Sequence, residues 1–133
     1  MIRLNLEYPP SVNQLWRAVP GRGVIKSKIY REWLEKNLWI IRGQTRDKIE
    51  GKFTIEFQAT RPDKRRRDID NLIKPLMDVI VQAGLVEDDS LCEMLSIMWI
   101  TNGTGISATI IPLPGTEAEV LPIKAKRPDK AAA

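Results

Sequence analysis

Arg61-Pro62-Asp63-Lys64-Arg65-Arg66-Arg67-Asp68-Ile69-Asp70-Asn71-Leu72-Ile73-Lys74 joins two stretches of different hydrophobic period. Before it, over residues 52–60, Phe53, Ile55 and Phe57 alternate with Thr54, Glu56 and Gln58, the period of a half-buried strand. After it, Ile69, Leu72, Ile73, Leu76, Ile80 and Ala83 recur at helical spacing and stop at Gly84. The joint therefore connects a strand to a helix. Its basic run leads straight into two aspartates one residue apart. Packing and solubility do not call for that order of charges; a site that grips a phosphate and sets a metal beside it does.

Residues 2–8 alternate Ile2, Leu4, Leu6 and Tyr8 with Arg3, Asn5 and Glu7 and read as a strand closed by Pro9-Pro10. Residues 9–26 read as a long loop, in which Arg17, Arg22 and Lys26 with Trp16 are either DNA contacts or merely solvated. Residues 27–46 read as a helix with Ser27 as N-cap, an apolar stripe of Ile29, Tyr30, Trp33, Leu34, Leu38 and Ile41, and Gly43 as the stop. Trp33 and Trp39 suit core or interface better than base stacking. Residues 85–90 form an acidic loop. Residues 91–101 have Leu95, Ile97 and Trp99 on one parity and Met94, Met98 and Ile100 on the other, which suits a strand covered on both faces. Asn102-Gly103-Thr104-Gly105 reads as a turn, and 106–111 as the returning strand of a hairpin. The order β-α-β-α-β-β implies an α/β (α+β) domain, residues 1–112, with a small mixed sheet of about four strands and two helices. Residues 113–133, rich in Pro, Glu, Lys and Ala, read as a disordered tail.

Composition limits the chemistry. The 133 residues are ordinary for one domain, and 43% hydrophobic with 29% charged describes a globular, soluble chain. The net charge is +4, concentrated at 61–67 and 17–31, which points to an anionic polymer such as nucleic acid. A single cysteine, Cys92, excludes an internal disulfide and suits a reducing cytosol. No apolar run reaches the roughly 18 residues of a membrane span, and the N-terminus carries no signal pattern. There is no histidine. Imidazole-based triads and His-ligated zinc are therefore excluded, and hydrolysis would rest on carboxylates, lysine and a metal.

On a helical wheel Asp70, Asn71, Lys74, Asp78 and Gln82 lie opposite the apolar stripe, and Asp70 and Lys74 are i,i+4 neighbours. Pro75 means that the regular helix either starts near Leu72 or is kinked. If it starts late, Asp68-Ile69-Asp70 is an extended lead-in with both carboxylates on one side, able to share a cation. The simpler role for Asp68 and Asp70 is helix capping. Asp88 and Asp89, beside Glu87, form a second acidic group suited to Mg2+ or Mn2+, or merely an acidic turn. Lys74 suits a scissile phosphate, or an ion pair with Asp70 or Asp78; Asp78 reads as structural. Arg65, Arg66 and Arg67 suit phosphate contacts.

At these residues the chain resembles the RusA family of Holliday junction resolvases. The matching segment is Pro62–Lys74 as quoted, then Asp78, Ala83-Gly84 and Asp88-Asp89, with Pro9-Pro10-Ser11-Val12-Asn13 similar to that family's N-terminal motif. The likeness spans roughly 2–111. It implies a homodimeric, Mg2+-dependent endonuclease (Mn2+ an alternative) that cuts four-way junction DNA by paired nicks in recombination and repair, in the cytoplasm of a bacterial or phage-infected cell. It implies Asp68, Asp70, Asp89 and Lys74 as catalytic residues, with Asp88 a supporting acid and Arg67 on DNA; Asp68, Asp70, Asp88 and Asp89 are then the expected metal ligands, and the basic clusters add Arg65, Arg66, Lys64 and Arg17 as expected DNA contacts. The alternatives are a flap or fork nuclease and a non-catalytic junction-binding protein. A helix over 72–83 is about 18 Å long. Across it Asp88-Asp89 meets Asp68-Asp70 only if the loop 85–90 climbs back or a partner subunit supplies the second set.

Overall fold

A computed structural model of the chain describes residues 1–114. The strands β1 (Ile2–Leu6), β4 (Phe53–Thr60), β5 (Cys92–Ile100) and β6 (Ile106–Pro112) form one mixed sheet in the order β1-β6-β4-β5. A separate ribbon pairs β2 (Trp16–Val19) with β3 (Gly23–Lys26). The helices α1 (Lys28–Gln44) and α2 (Ile73–Gln82) complete the expected architecture of a four-stranded sheet with two helices. Among the described residues no helix is long and apolar enough to cross a membrane. From 115 onward the expected tail lies outside the described residues; Leu113 N–H still donates to the Lys52 carbonyl at 2.9 Å.

Strand alternation sorts the sheet into two faces. Ile2, Leu4, Leu6, Phe53, Ile55, Phe57, Ala59, Ile106, Ala108 and Ile110 are buried and form the core with Tyr30, Trp33, Leu34 and Ile41 of α1 and Leu76, Val79 and Ile80 of α2. The opposite face carries Arg3, Asn5, Glu56, Gln58, Ser107 and Thr109 in register and has no covering layer among the described residues.

Local signals place the helix ends. Ser27 Oγ accepts the Tyr30 N–H at 3.1 Å, the expected N-cap of α1. After α2, the Gly84 N–H donates to Val81 O and the Leu85 N–H to Ile80 O, with Gly84 at φ +77. That is a Schellman stop, closed by buried Leu85. Pro75 falls in the first turn of α2, where its missing N–H orphans no acceptor.

Several expectations are corrected. Residues 9–26 are not all loop: they hold a 3-10 turn (Val12–Gln14) and the β2-β3 ribbon. Both ribbon strands are largely exposed, so no apolar alternation marks them. Pro20-Gly21 turns the chain, with the Arg22 N–H on Val19 O at 2.9 Å and Gly21 at φ +77, as a type II turn requires. Gly43 does not stop α1; the helix runs one residue further. There the Gln44 amide accepts the Asn5 N–H and donates to the Asn5 carbonyl, both at 2.7 Å, docking the helix end on the edge strand β1. Ile29 and Trp39 point to solvent, 51% and 68% exposed.

The expected hairpin of 91–111 is absent. β5 pairs parallel with β4 alone, through the α2 crossover, and β6 lies on the other side of β4, antiparallel to it and to β1. The link 101–105 passes over the end of β4, held by the Thr60 N–H on Gly105 O at 3.0 Å and Thr60 Oγ1 on Asn102 O at 3.2 Å. Nor is β5 covered on both faces: Met94 and Met98 are 62% and 49% exposed. Their parity belongs to the uncovered face, and the outer edge of β5 has no partner strand among the described residues.

Candidate active site

Beyond β4 the charged segment is shaped by Asp63. Its Oδ1 accepts the Arg65 N–H at 3.0 Å, and its two oxygens take Arg67 Nε at 3.2 Å and Nη2 at 2.8 Å. The Arg67 hydrogen bonds, then the Arg65 N–H, hold the Asp63 carboxyl below the usual carboxylate range. Arg67 also lies 5.7 Å from the Tyr8 ring centroid. Partial burial pushes the Tyr8 phenol up, and the positive charge of Arg67 opposes that. Arg65, Arg66, Arg67 and Asp68 line a cavity of about 500 Å³ with Tyr8 and Asn13. Lys64, Arg65 and Arg66 are exposed and have no ion-pair partner among the described residues.

Asp68 is extended (φ −87, ψ 121), and a 3-10 turn (Ile69–Leu72) follows at once and runs into α2. The late helix start holds, but the lead-in is extended at Asp68 only. Asp70 sits within the turn, so strand alternation does not set where it points. Neither carboxylate acts as a cap: both are exposed and accept no hydrogen bond from the described residues. Ordinary helix capping therefore does not account for them.

Downstream, the loop after α2 is pinned to residues 49–51. The Ile49 N–H donates to Leu85 O at 2.8 Å, and the Gly51 N–H to Glu87 Oε1 at 2.8 Å, so Glu87 serves as a tie. A 3-10 turn (Asp89–Leu91) then begins under Asp88, whose Oδ2 accepts the Ser90 N–H at 3.0 Å and the Ser90 hydroxyl. These bonds, hydroxyl first, hold the Asp88 carboxyl below its usual range. Capping thus accounts for much of Asp88. Asp89 carries no such bond.

The loop does not bring Asp88 and Asp89 to Asp68 and Asp70, neither of which shares a cavity with them. Asp88 and Asp89 line a cavity of about 300 Å³ together with Lys74 and Asp78 of α2 and Trp16 and Lys26 of the ribbon. Lys74 pairs with Asp78 (Nζ to Oδ1, 3.0 Å) rather than with Asp70. From behind, Tyr30 Oη donates to Asp78 Oδ2 at 2.6 Å. Burial and the Asp78 carboxylate push the Tyr30 phenol far above the ordinary range, so it remains a donor.

The nominated residues thus fall into groups: Asp68 with Arg65, Arg66 and Arg67 in one cavity, Lys74 with Asp88 and Asp89 in another, and Asp70 exposed on the turn between. The chemistry of the donors suits a hard divalent cation. Their placement within one chain does not complete a site: among the described residues no group of three His, Cys, Asp or Glu side chains is gathered closely enough to hold a metal ion. Arg17 lies on β2 and faces a cavity of about 420 Å³ shared with Arg22, Lys26 and Arg31. Asp63, Tyr30 and Arg31 escape a sequence reading. The i,i+4 spacing of Asp63 and Arg67 was the one available signal, and it lies outside any helix.

The sequence model of endodeoxyribonuclease RusA matches residues 7–111, a span holding both cavities and every nominated residue. The chain belongs to the RusA family. Among its relatives, the crossover junction endodeoxyribonuclease of Enterobacteria phage HK97 is 39% identical over 117 residues, covering 86% of this chain and 92% of the phage protein. That of Enterobacteria phage 82 is 32% identical, covering 80% and 91%. That of Escherichia coli (strain K12) is 30% identical over the same shares. The RusA likeness drawn from residues 62–89 is borne out. For a RusA chain, the charged joint between β4 and α2 is then the feature to explain.

Proposed function

We propose that the chain is a structure-selective, divalent-metal-dependent DNA endonuclease that resolves four-way junctions by paired nicks, in recombination and repair within the cytoplasm. Relatives named crossover junction endodeoxyribonuclease support this. The observation that carries it is that Asp68 and Asp70 expose carboxylates with no hydrogen bond from the described residues, beside Arg65 and Arg66, which have no ion-pair partner there. A structural role would have engaged them.

Asp68, Asp70 and Asp89, with Asp88 in support, would hold the ion, for which Mg2+ is the first choice and Mn2+ the second. When bound, such an ion polarises the phosphate and lowers the pKa of an attacking water. Lys74 sets a positive charge at the scissile phosphate. Arg65, Arg66 and Lys64 hold neighbouring phosphates, and Arg17 extends the contact along an arm of the junction. Arg67 keeps N–H donors for DNA beyond those given to Asp63.

The active unit is a homodimer. Support comes from the edge of β5, which has no partner strand among the described residues, and from Met94, Met98 and Ile111, all at least 44% exposed on the same sheet face. Two-fold symmetry suits paired nicks on a four-way junction. Acids of one subunit complete the ion site of the other, which accounts for the separation of Asp68 from Asp89.

Cleavage of synthetic junction, fork and linear duplex, with and without Mg2+, tests the reading. Cutting of the junction alone, dependent on the ion and lost in Asp70→Asn with binding kept, is expected. Equal cutting of all three substrates would favour a flap or fork nuclease. Binding without any nick, with Mg2+ or Mn2+, would favour a junction-binding protein. Mixed dimers of Asp70→Asn with Asp89→Asn should recover activity; none at all would count against sharing between subunits.

A further inference from the structure

Tyr30 is fully buried, and a buried phenol needs a polar partner. It finds one across the helix interface, donating to Asp78 Oδ2 at 2.6 Å. The other Asp78 oxygen accepts from Lys74 Nζ at 3.0 Å. The ring has little freedom: Trp16 meets it edge-on at 5.9 Å, Trp33 stacks at 6.4 Å, and Ser27 caps the Tyr30 N–H.

A Lys–Asp pair one helical turn apart is ordinarily loose, because both side chains are solvated. This one is held from behind. The Asp78 side chain is 17% exposed and divides its oxygens between a permanent donor and the ammonium. Lys74 remains 56% exposed on the open side, facing the cavity that Asp88 and Asp89 line.

We propose that Tyr30 and Asp78 are positioning residues for Lys74, fixing its ammonium at that cavity before DNA arrives. This rests on the reading of Lys74 as the cation at the scissile phosphate. A flexible lysine would have to be ordered during the reaction; one anchored through Asp78 is ordered beforehand, and a preset charge is what stabilises a transition state.

The full chain tests this in two measurements. Carbon-13 relaxation of the lysine Cε groups reads how firmly each stem is held. Lys74 is expected to be more ordered than exposed Lys64, and Tyr30→Phe and Asp78→Asn are each expected to release it. Single-turnover cutting of a synthetic four-way junction with Mg2+ is expected to fall about tenfold in both variants, with junction affinity unchanged. Ile41→Val, a core change on α1 away from Lys74, controls for lost stability and should cut at the wild-type rate.

A Lys74 as mobile as Lys64, or unaffected by Tyr30→Phe, overturns the positioning whatever the cutting rate. An ordered Lys74 whose release leaves cutting unchanged overturns its part in the reaction while the nuclease reading stands. A wild-type chain that never cuts a junction overturns the nuclease reading, and the relaxation measurement still decides the positioning.

Discussion

Asp63 grips Arg67 at two points, Nε to Oδ1 at 3.2 Å and Nη2 to Oδ2 at 2.8 Å, across a segment with no regular structure. The pair acts as a local clasp: it bends residues 63–67 back on themselves and aims the guanidinium over Tyr8. Because the folded Asp63 carboxyl is depressed, the clasp contributes stability above the ordinary value of 3.8 and loses it as pH falls through the lower folded value. A carboxyl-carbon NMR titration should place the Asp63 midpoint below 3.8, returning towards it in Arg67→Ala. A wild-type midpoint at or above that value would contradict the clasp. Asp63→Asn should weaken junction binding less than Arg67→Ala, since only the aim of the cation is lost.

Carboxylates that do no structural work can be neutralised without loss of stability. Asp68→Asn and Asp70→Asn should shift unfolding free energy by less than about 0.5 kcal/mol, whereas a lost cap costs about 1 kcal/mol. Asp88→Ala should lower the urea midpoint, because Ser90 loses both of its bonds to that carboxylate. Urea titrations of the three variants check this. Equal losses in all three would return Asp68 and Asp70 to a capping role.

Gly105 is where a side chain fits least. At φ +71, a Cβ there would lie 2.5 Å from the Leu6 carbonyl oxygen, which belongs to backbone and cannot swing aside. Gly105→Ala should therefore cost about 2 kcal/mol or more. Gly21→Ala, at φ +77 with open space around it, should cost about 1 kcal/mol. Denaturant unfolding of the two variants compares them.

Asn37 is the one buried amide side chain of the described core. It accepts the Glu7 N–H at 2.9 Å and donates to the Trp33 carbonyl at 2.9 Å, tying the end of β1 to α1. Asn37→Leu keeps the branching of the side chain with some added bulk and orphans the Glu7 N–H, a loss of about 2 kcal/mol. An equilibrium unfolding curve indistinguishable from wild type would show that water replaces the bond.

The legible features were those written within a few residues. Ser27 as cap, Gly84 as stop and the alternation of Ile2–Leu6 and Phe53–Thr60 each depend on neighbours one turn or one pleat away. Pro75 told correctly that α2 begins late. The ribbon at 16–26 stayed hidden because strands exposed on both faces carry no apolar period. Asn37 lay inside an apolar stripe with nothing in the sequence to name its partner thirty residues earlier.

Family and available chemistry are legible residue by residue. A chain without histidine, with a basic run abutting two aspartates, offers carboxylates and lysine where an imidazole would otherwise serve, and these are read one residue at a time. Which of these residues meet depends on how distant segments pack. Strand pairing joins residues distant in the chain, so adjacency of β5 and β6 in sequence did not make them neighbours. The ties of Leu85 and Glu87 to residues 49–51 carry Asp89 to Lys74, while Asp68 opens into the other cavity with Arg65 and Arg66. That grouping follows from long-range hydrogen bonds and packing, which no local period records.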